Sequence, residues 1–160
     1  MRNLIIVGVA LAAVACGGTS SDLSRADAQS IGDAIAAAIP QGGAGGSQDL
    51  TLSSSVNRTV QCAGGGSLNV SGSLVTSCAT LFSCSTSGSL SLTANGCATS
   101  SGVSIDGSLS SSFSSRGITL SATVSGTLTA KLPDGTTAPC AVNATISGGK
   151  VSGSVCGYAL

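Results

Sequence analysis

Residues 103–132, VSIDGSLSSSFSSRGITLSATVSGTLTAKL, decide the fold. Before Arg116-Gly117 the apolar residues Val103, Ile105, Leu109 and Phe113 all fall on one parity of position. After it Leu120, Val124 and Leu128 fall on another, with Ser and Thr between them. A period of two sends apolar side chains to one face of a strand and polar ones to the other. Two such runs around a turn signal predict a β-hairpin. A two-residue loop at Arg116-Gly117 pairs Phe113 with Leu120, Leu109 with Val124, Ile105 with Leu128, and Gly107 with Gly126, so that apolar meets apolar. A three-residue loop centred on Gly135 extends the pattern, with Leu128 on Val142, Val124 on Ile146 and Gly126 on Ala144. The glycines then form a row across the apolar face, where a sheet bends sharply or another backbone comes close.

The same alternation runs from Asp49 to the end of the chain. Turn signals at Asn57-Arg58, Asn95-Gly96, Arg116-Gly117, Asp134-Gly135 and Gly148-Gly149 divide it. They predict strands at 50–56, 59–63, 67–77, 85–94, 103–114, 118–132, 138–147 and 151–158. A Ser-Gly motif recurs within these runs, as in Val70-Ser-Gly72-Ser-Leu74, Val124-Ser-Gly126-Thr-Leu128 and Val151-Ser-Gly153-Ser-Val155. A stacked solenoid competes with the meander, but the Gly148 to Gly153 interval breaks the repeat.

Residues 24–39 carry a different period. Ile31, Ala34, Ile35, Ala38 and Ile39 share one helical face, Ser24 and Asp27 form a capping-box pattern, and Pro40 and Gly42 stop the helix. This face is expected to pack on the domain core, with Ala36, Ala37 and Ala38 small enough to approach the glycine row. Docking on a partner or a membrane surface is the alternative, against which the helix lacks a Lys-rich polar side. QGGAGGSQ, spanning 41–48, reads as a flexible linker. The fold class that results is mainly β: an N-terminal helix and a curved antiparallel β-meander of about eight strands, stapled by disulfides.

At the other end, MRNLIIVGVALAAVAC joins a basic start at Arg2 to an apolar run from Leu4 to Val14 and small residues before Cys16. That is the layout of a secretory signal, and the run is short of the roughly 20 residues of a membrane span. The segment Leu11, Ala12, Ala13, Val14, Ala15, Cys16, Gly17 resembles the lipobox of bacterial lipoprotein precursors, with Ala13 where that family usually has Leu. The resemblance implies diacylglycerol on the Cys16 thiol, cleavage before it, acylation of the freed amine with a fatty acid such as palmitate, and, from Gly17, the outer membrane. Cleavage by an ordinary signal peptidase at Ala13-x-Ala15 is the competing expectation. The organisation expected is a signal peptide over 1–15, a lipidated tether over 16–23, a helix over 24–39, a Gly-rich linker over 40–48 and a β domain over 49–160.

Six further cysteines, Cys62, Cys78, Cys84, Cys97, Cys140 and Cys156, form an even set in an exported chain and point to three disulfides rather than a metal site. Six cysteines allow fifteen connectivities, and the sequence does not choose among them. Proximity in a meander favours Cys78 with Cys84 and Cys140 with Cys156, leaving Cys62 with Cys97. The apolar register, however, puts Cys156 on the opposite face from Cys140.

Charged residues make up 8% of the chain, net charge is zero, and there is no His. Such a surface does not neutralise phosphates, so no nucleic acid partner is expected. Aromatics are limited to Phe82, Phe113 and Tyr158. Among acids, Asp134 is explained by its turn, Asp49 begins the β region, and Asp106 alone falls within a strand. Lys131 and Lys150 sit beside turns, where a solvated amine does not serve a serine nucleophile. No catalysis, metal or cofactor is expected. The functions expected are a structural or surface-interaction role on a membrane tether, and alternatively carriage of an apolar ligand between sheet and helix, which a hollow of about 300 Å³ or more would favour. A third is an assembly subunit offering an open sheet edge, against which a charge from Arg58 or Lys150 at that edge would count.

Overall fold

The computed structural model describes residues 23–39, 52–80, 83–116 and 119–160. The signal, Cys16, the linker, Asp49 and Phe82 lie outside the described residues.

One helix, α1 (Arg25–Ala38), precedes eight strands: β1 (Leu52–Gln61), β2 (Ser67–Thr80), β3 (Ser83–Ala98), β4 (Ser104–Arg116), β5 (Thr119–Lys131), β6 (Thr137–Ser147), β7 (Lys150–Val155) and β8 (Tyr158–Ala159). They form a single antiparallel sheet in chain order, an open meander in which each strand pairs with the next. The expected number of strands is met by two compensating differences. Asn57-Arg58 is no turn, so β1 runs straight through it, and the final run divides at Cys156-Gly157 into β7 and β8. Asn95-Gly96 is no hairpin turn either. It is a bulge inside β3, between the pairs Ala94↔Gly107 and Cys97↔Ile105. A bulge of this kind uses a residue in the left-handed region, here Gly96 at φ 55°.

The register differs from the expected one by two residues. Phe113 faces Ala122, Leu109 faces Gly126, Gly107 faces Leu128 and Ile105 faces Ala130. In the next pair Leu128 faces Cys140, Val124 faces Ala144 and Ala122 faces Ile146. A slip of one residue would turn the apolar set outward, but a slip of two leaves every side chain on its face. Alternation therefore cannot choose between these registers, and volume does. The observed pairing sets large against small across the sheet, as it also does at Gly72↔Leu90 and Leu74↔Gly88 in β2 and β3. Leu109 then lies over the bare backbone opposite, its Cδ2 2.9 Å from where a Cβ on Gly126 would stand. The expected glycine row does not form; glycines sit as diagonal pairs within separate hairpins.

The inner face of the sheet and α1 share one core. Leu68, Val70, Leu92, Ile105, Leu109, Leu128, Val124 and Ile146 are buried against Ile31, Ile35 and Ile39. The helix begins at a capping box in which the Ser24 hydroxyl accepts from the Asp27 backbone N–H, while the Asp27 carboxylate accepts from the Ser24 backbone N–H. Both flanks of the sheet reach this helix. On one, the Tyr158 hydroxyl donates to the Leu23 carbonyl at 2.6 Å, and Gly32 gives Leu160 and Val151 room to pack on the helix. On the other, the Arg58 guanidinium donates to the carbonyls of Ala37 and Ala38 at 3.2 and 2.8 Å. Those carbonyls belong to the last helical turn, where a cation complements the negative end of the helix dipole. The small helix residues do not approach a glycine row as expected: Ala36 and Ala38 enter the core, whereas Ala37 is exposed.

Candidate functional site, a cleft beside the helix

A cleft of about 320 Å³ opens where α1 meets the base of β1, β2 and β3. One wall is helical, made by Ser30, Asp33, Ala34 and Ala37. The other comes from the ends of the strands and their connections, with Val60, Cys62, Leu68 and Ala98 apolar, and Gln61, Thr99 and Ser100 polar. The spacing of Ser30, Asp33, Ala34 and Ala37 at three and four residues puts all four on one side of the helix. The opposite wall is held by the disulfide between Cys62 and Cys97, which joins the end of β1 to the bulged end of β3. Hydrogen bonds from the Gly64 N–H to the Ala98 carbonyl and from the Ala98 N–H to the Gly65 carbonyl, both 2.9 Å, brace the same corner.

Of the polar residues lining the cleft, Asp33, Gln61 and Ser100 are exposed, whereas Thr99 is buried. Ser30 and Ser100 hydroxyls stand 3.4 Å apart, and Asp33 accepts a hydrogen bond from Gln29 at 3.0 Å. One carboxylate with hydroxyls and an amide can orient a ligand, but they form neither a paired acid and base nor an activated nucleophile. Arg58, on the inner face of neighbouring β1, is directed to the helix carbonyls.

The residues singled out from the sequence are dispersed. Asp106 accepts from the Gly96 N–H at 2.6 Å and so holds the β3 bulge. Asp134 accepts from the backbone N–H and hydroxyl of Thr136, an Asx turn between β5 and β6. These bonds to the Thr136 side chain and backbone hold the Asp134 carboxyl below the usual carboxylate range. At Asp27, burial pushes the carboxyl up, but the hydrogen bonds from the Ser24 side chain and backbone and from Ser101 outweigh it, leaving a lowered pKa. Lys131 ends β5 and Lys150 begins β7.

The cysteines pair as Cys62–Cys97, Cys78–Cys84 and Cys140–Cys156. The facing conflict at Cys156 is resolved by the backbone: β7 ends at Val155, and Cys156 takes φ 50°, which breaks the alternation so that both neighbours face inward. Among the described residues no group of three or more Cys, Asp, Glu or His gathers to hold a metal ion.

No protein-family model, curated protein or solved structure matches this chain.

Two features of this region escaped the sequence reading. Asp33 was not singled out, since no local signal places it at a cleft. Arg58 had a signal that the assumed turn hid. Once 52–61 is read as one strand, Arg58 falls on the inner parity between Val56 and Val60, an unusual place for a charge unless it has a partner.

Proposed function

We propose that this chain is a lipid-anchored protein of a bacterial cell envelope, with a structural or surface-interaction role and no catalysis. The observation that carries the reading is the cysteine pairing. All six cysteines of the β domain are joined in disulfides, so the odd cysteine of the seven is Cys16, at the end of the lipobox-like segment. Disulfides are stable in an oxidising compartment, which agrees with export, and two or three acyl chains on Cys16 would hold the chain firmly to a membrane. The outer membrane is the proposed site, from Gly17. The long strands then offer envelope partners a face of Ser and Thr, neutral and fully solvated.

Intact mass of protein extracted from the membrane fraction tests this. The expected mass is that of acylated Cys16 through Leu160 less six hydrogens, with Cys16→Ser released from the membrane. Soluble, unacylated wild-type protein would overturn the tether.

A second reading, carriage of a small apolar ligand, is favoured by the cleft volume of about 320 Å³, at the lower end of ligand-site sizes. Mass spectra under native conditions are expected to show a retained small molecule, and its loss in Ala34→Phe with the fold intact would assign it to the cleft. An empty cleft in protein taken directly from the membrane would sink this reading.

A further inference from the structure

The two edges of the sheet are built differently. At one edge β8 has only two residues, following the left-handed Cys156 that is tied to Cys140. Lys150 stands on the part of β7 that β8 does not cover. Shortness, irregular backbone and a lysine are the devices by which natural sheets discourage strand addition. At the other edge, β1 presents ten residues in unbroken register with β2, from Leu52↔Thr76 to Gln61↔Ser67. It has no bulge and no proline, and no strand lies beyond it among the described residues. Arg58 stands on this edge strand, where its charge was expected to guard it. Its guanidinium reaches inward and donates to the carbonyls of Ala37 and Ala38, so this charge is engaged by the end of the helix. A long and regular edge is a template for a further strand.

We propose that β1 pairs antiparallel with β1 of a second copy of this chain, about a two-fold axis at Val56, so that the two sheets become continuous. The sequence of β1 complements itself in that register. Val56 pairs with Val56, Leu52 with Val60 and Ser54 with Arg58 at one set of alternate positions, while Ser53 pairs with Thr59 and Ser55 with Asn57 at the other. Apolar positions meet apolar ones, and the two guanidiniums stay apart. Moving the axis to Asn57 sets Val56 against Arg58, and moving it to Arg58 sets the two arginines face to face, which cross-strand energetics disfavour. A two-fold interface needs a patch that is its own complement, and this register supplies one.

This partner deepens the surface-interaction reading and rests on it only for the role that pairing would serve. The test uses the full chain in detergent, its state of association read by native mass spectrometry. Wild type is expected as a dimer. The double variant Ser55→Lys/Asn57→Lys puts lysine opposite lysine at both symmetry-related copies of the Ser55–Asn57 pair while altering only exposed positions, and should lower the dimer fraction roughly tenfold or more with an unchanged Tm. Mixing it with Ser55→Glu/Asn57→Glu should restore a one-to-one dimer. Hydrogen exchange of alternate β1 amides should be slow in wild type and fast in the lysine variant. A wild-type monomer carrying acylated Cys16, or a dimer indifferent to the lysines, overturns edge pairing and leaves the tether standing. An unacylated dimer overturns the tether alone.

Discussion

The hairpins β2–β3 and β4–β5 share a Gly-Ser/Thr-Leu wording, preceded by Ser in β2, β3 and β5 and by Asp106 in β4, yet they are held by different means. β4 and β5 occupy the centre of the sheet, pair in thirteen unbroken positions from Ser104↔Lys131 to Arg116↔Thr119, and contain no cysteine. Leu109 and Leu128 in them are buried. β2 and β3 lie nearer the open edge, their register shifts between Cys78 and Thr80, and Leu74 is only half-buried. Here the chain is cross-linked at both ends of the hairpin, by Cys78–Cys84 at the turn and Cys62–Cys97 at the base. The third bridge, Cys140–Cys156, lies on the opposite flank. The covalent links thus stand on either side of the central hairpin and tie strand ends together, where they restrict the unfolded chain and add to the packing.

The sharpest way to break this comparison is to remove its two leucines in turn. Leu109→Ala should destabilise by about 2–5 kcal/mol, while Leu74→Ala should cost roughly half as much, because its side chain is half-exposed already. Equal shifts in the urea midpoint would show that centre and flank are packed alike.

Disulfide removal should rank the flank's own supports. The sequence separations are 35 for Cys62–Cys97 and 6 for Cys78–Cys84, so chain entropy predicts a loss of about 4 kcal/mol for Cys62→Ser/Cys97→Ser and about 2 kcal/mol for Cys78→Ser/Cys84→Ser. The reverse order in thermal unfolding would place the main constraint at the turn.

Glycine substitutions should follow strand separation. A Cβ on Gly88 would run into the Ser73 carbonyl oxygen of the neighbouring strand, whereas one on Gly107 would stand 3.3 Å from the Thr127 oxygen, with the cost there arising from φ 126°. Gly88→Ala is therefore expected to cost up to about 3 kcal/mol and Gly107→Ala nearer 1 kcal/mol, measured by chemical denaturation.

A smaller effect of opposite sign is expected at Ser111, in the central hairpin. Its buried hydroxyl has no hydrogen-bond partner among the described residues, and it faces Leu90 and Val124. Ser111→Ala should stabilise by up to about 1 kcal/mol, and a loss of stability would reveal a partner for that oxygen.

The mildest test concerns the turn leaving the central hairpin. Because the folded pKa of Asp134 lies below its ordinary value of 3.8, its bonds to Thr136 contribute stability above that value, lost as pH falls through the lower folded pKa. The Tm difference between wild type and Asp134→Asn should accordingly shrink on acidification from pH ~6 to pH ~3, while a constant difference would show that this carboxylate does not couple to folding.

Much of this was legible in the chain, and the failures are instructive. Alternation from residue 50 onward announced the strands, and Ser24 with Asp27 announced the helix start. Asn95-Gly96 misled because the same left-handed glycine serves a tight turn and a bulge, and the hydrogen bond from Gly96 to Asp106 that marks the bulge comes from another strand. Asn57-Arg58 misled because a polar pair looks like a turn until the helix carbonyls that receive Arg58 are in view. The cleft was not legible, since its walls, Ser30 to Ala37 and Val60 onward, are far apart in sequence and none of its side chains has unusual chemistry.

By itself the sequence determined the class of the protein: an antiparallel β-meander with one amphipathic helix, an even set of cysteines, and a surface almost without charge. Those properties follow from side-chain period and composition, which are local. Only the tertiary structure decided the register, the cleft, the fate of Arg58 and the contrast between the two edges. A shift of two residues preserves every face that a pattern can read, so the choice falls to volumes meeting across strands, large against small, and these are determined only when the strands are in contact.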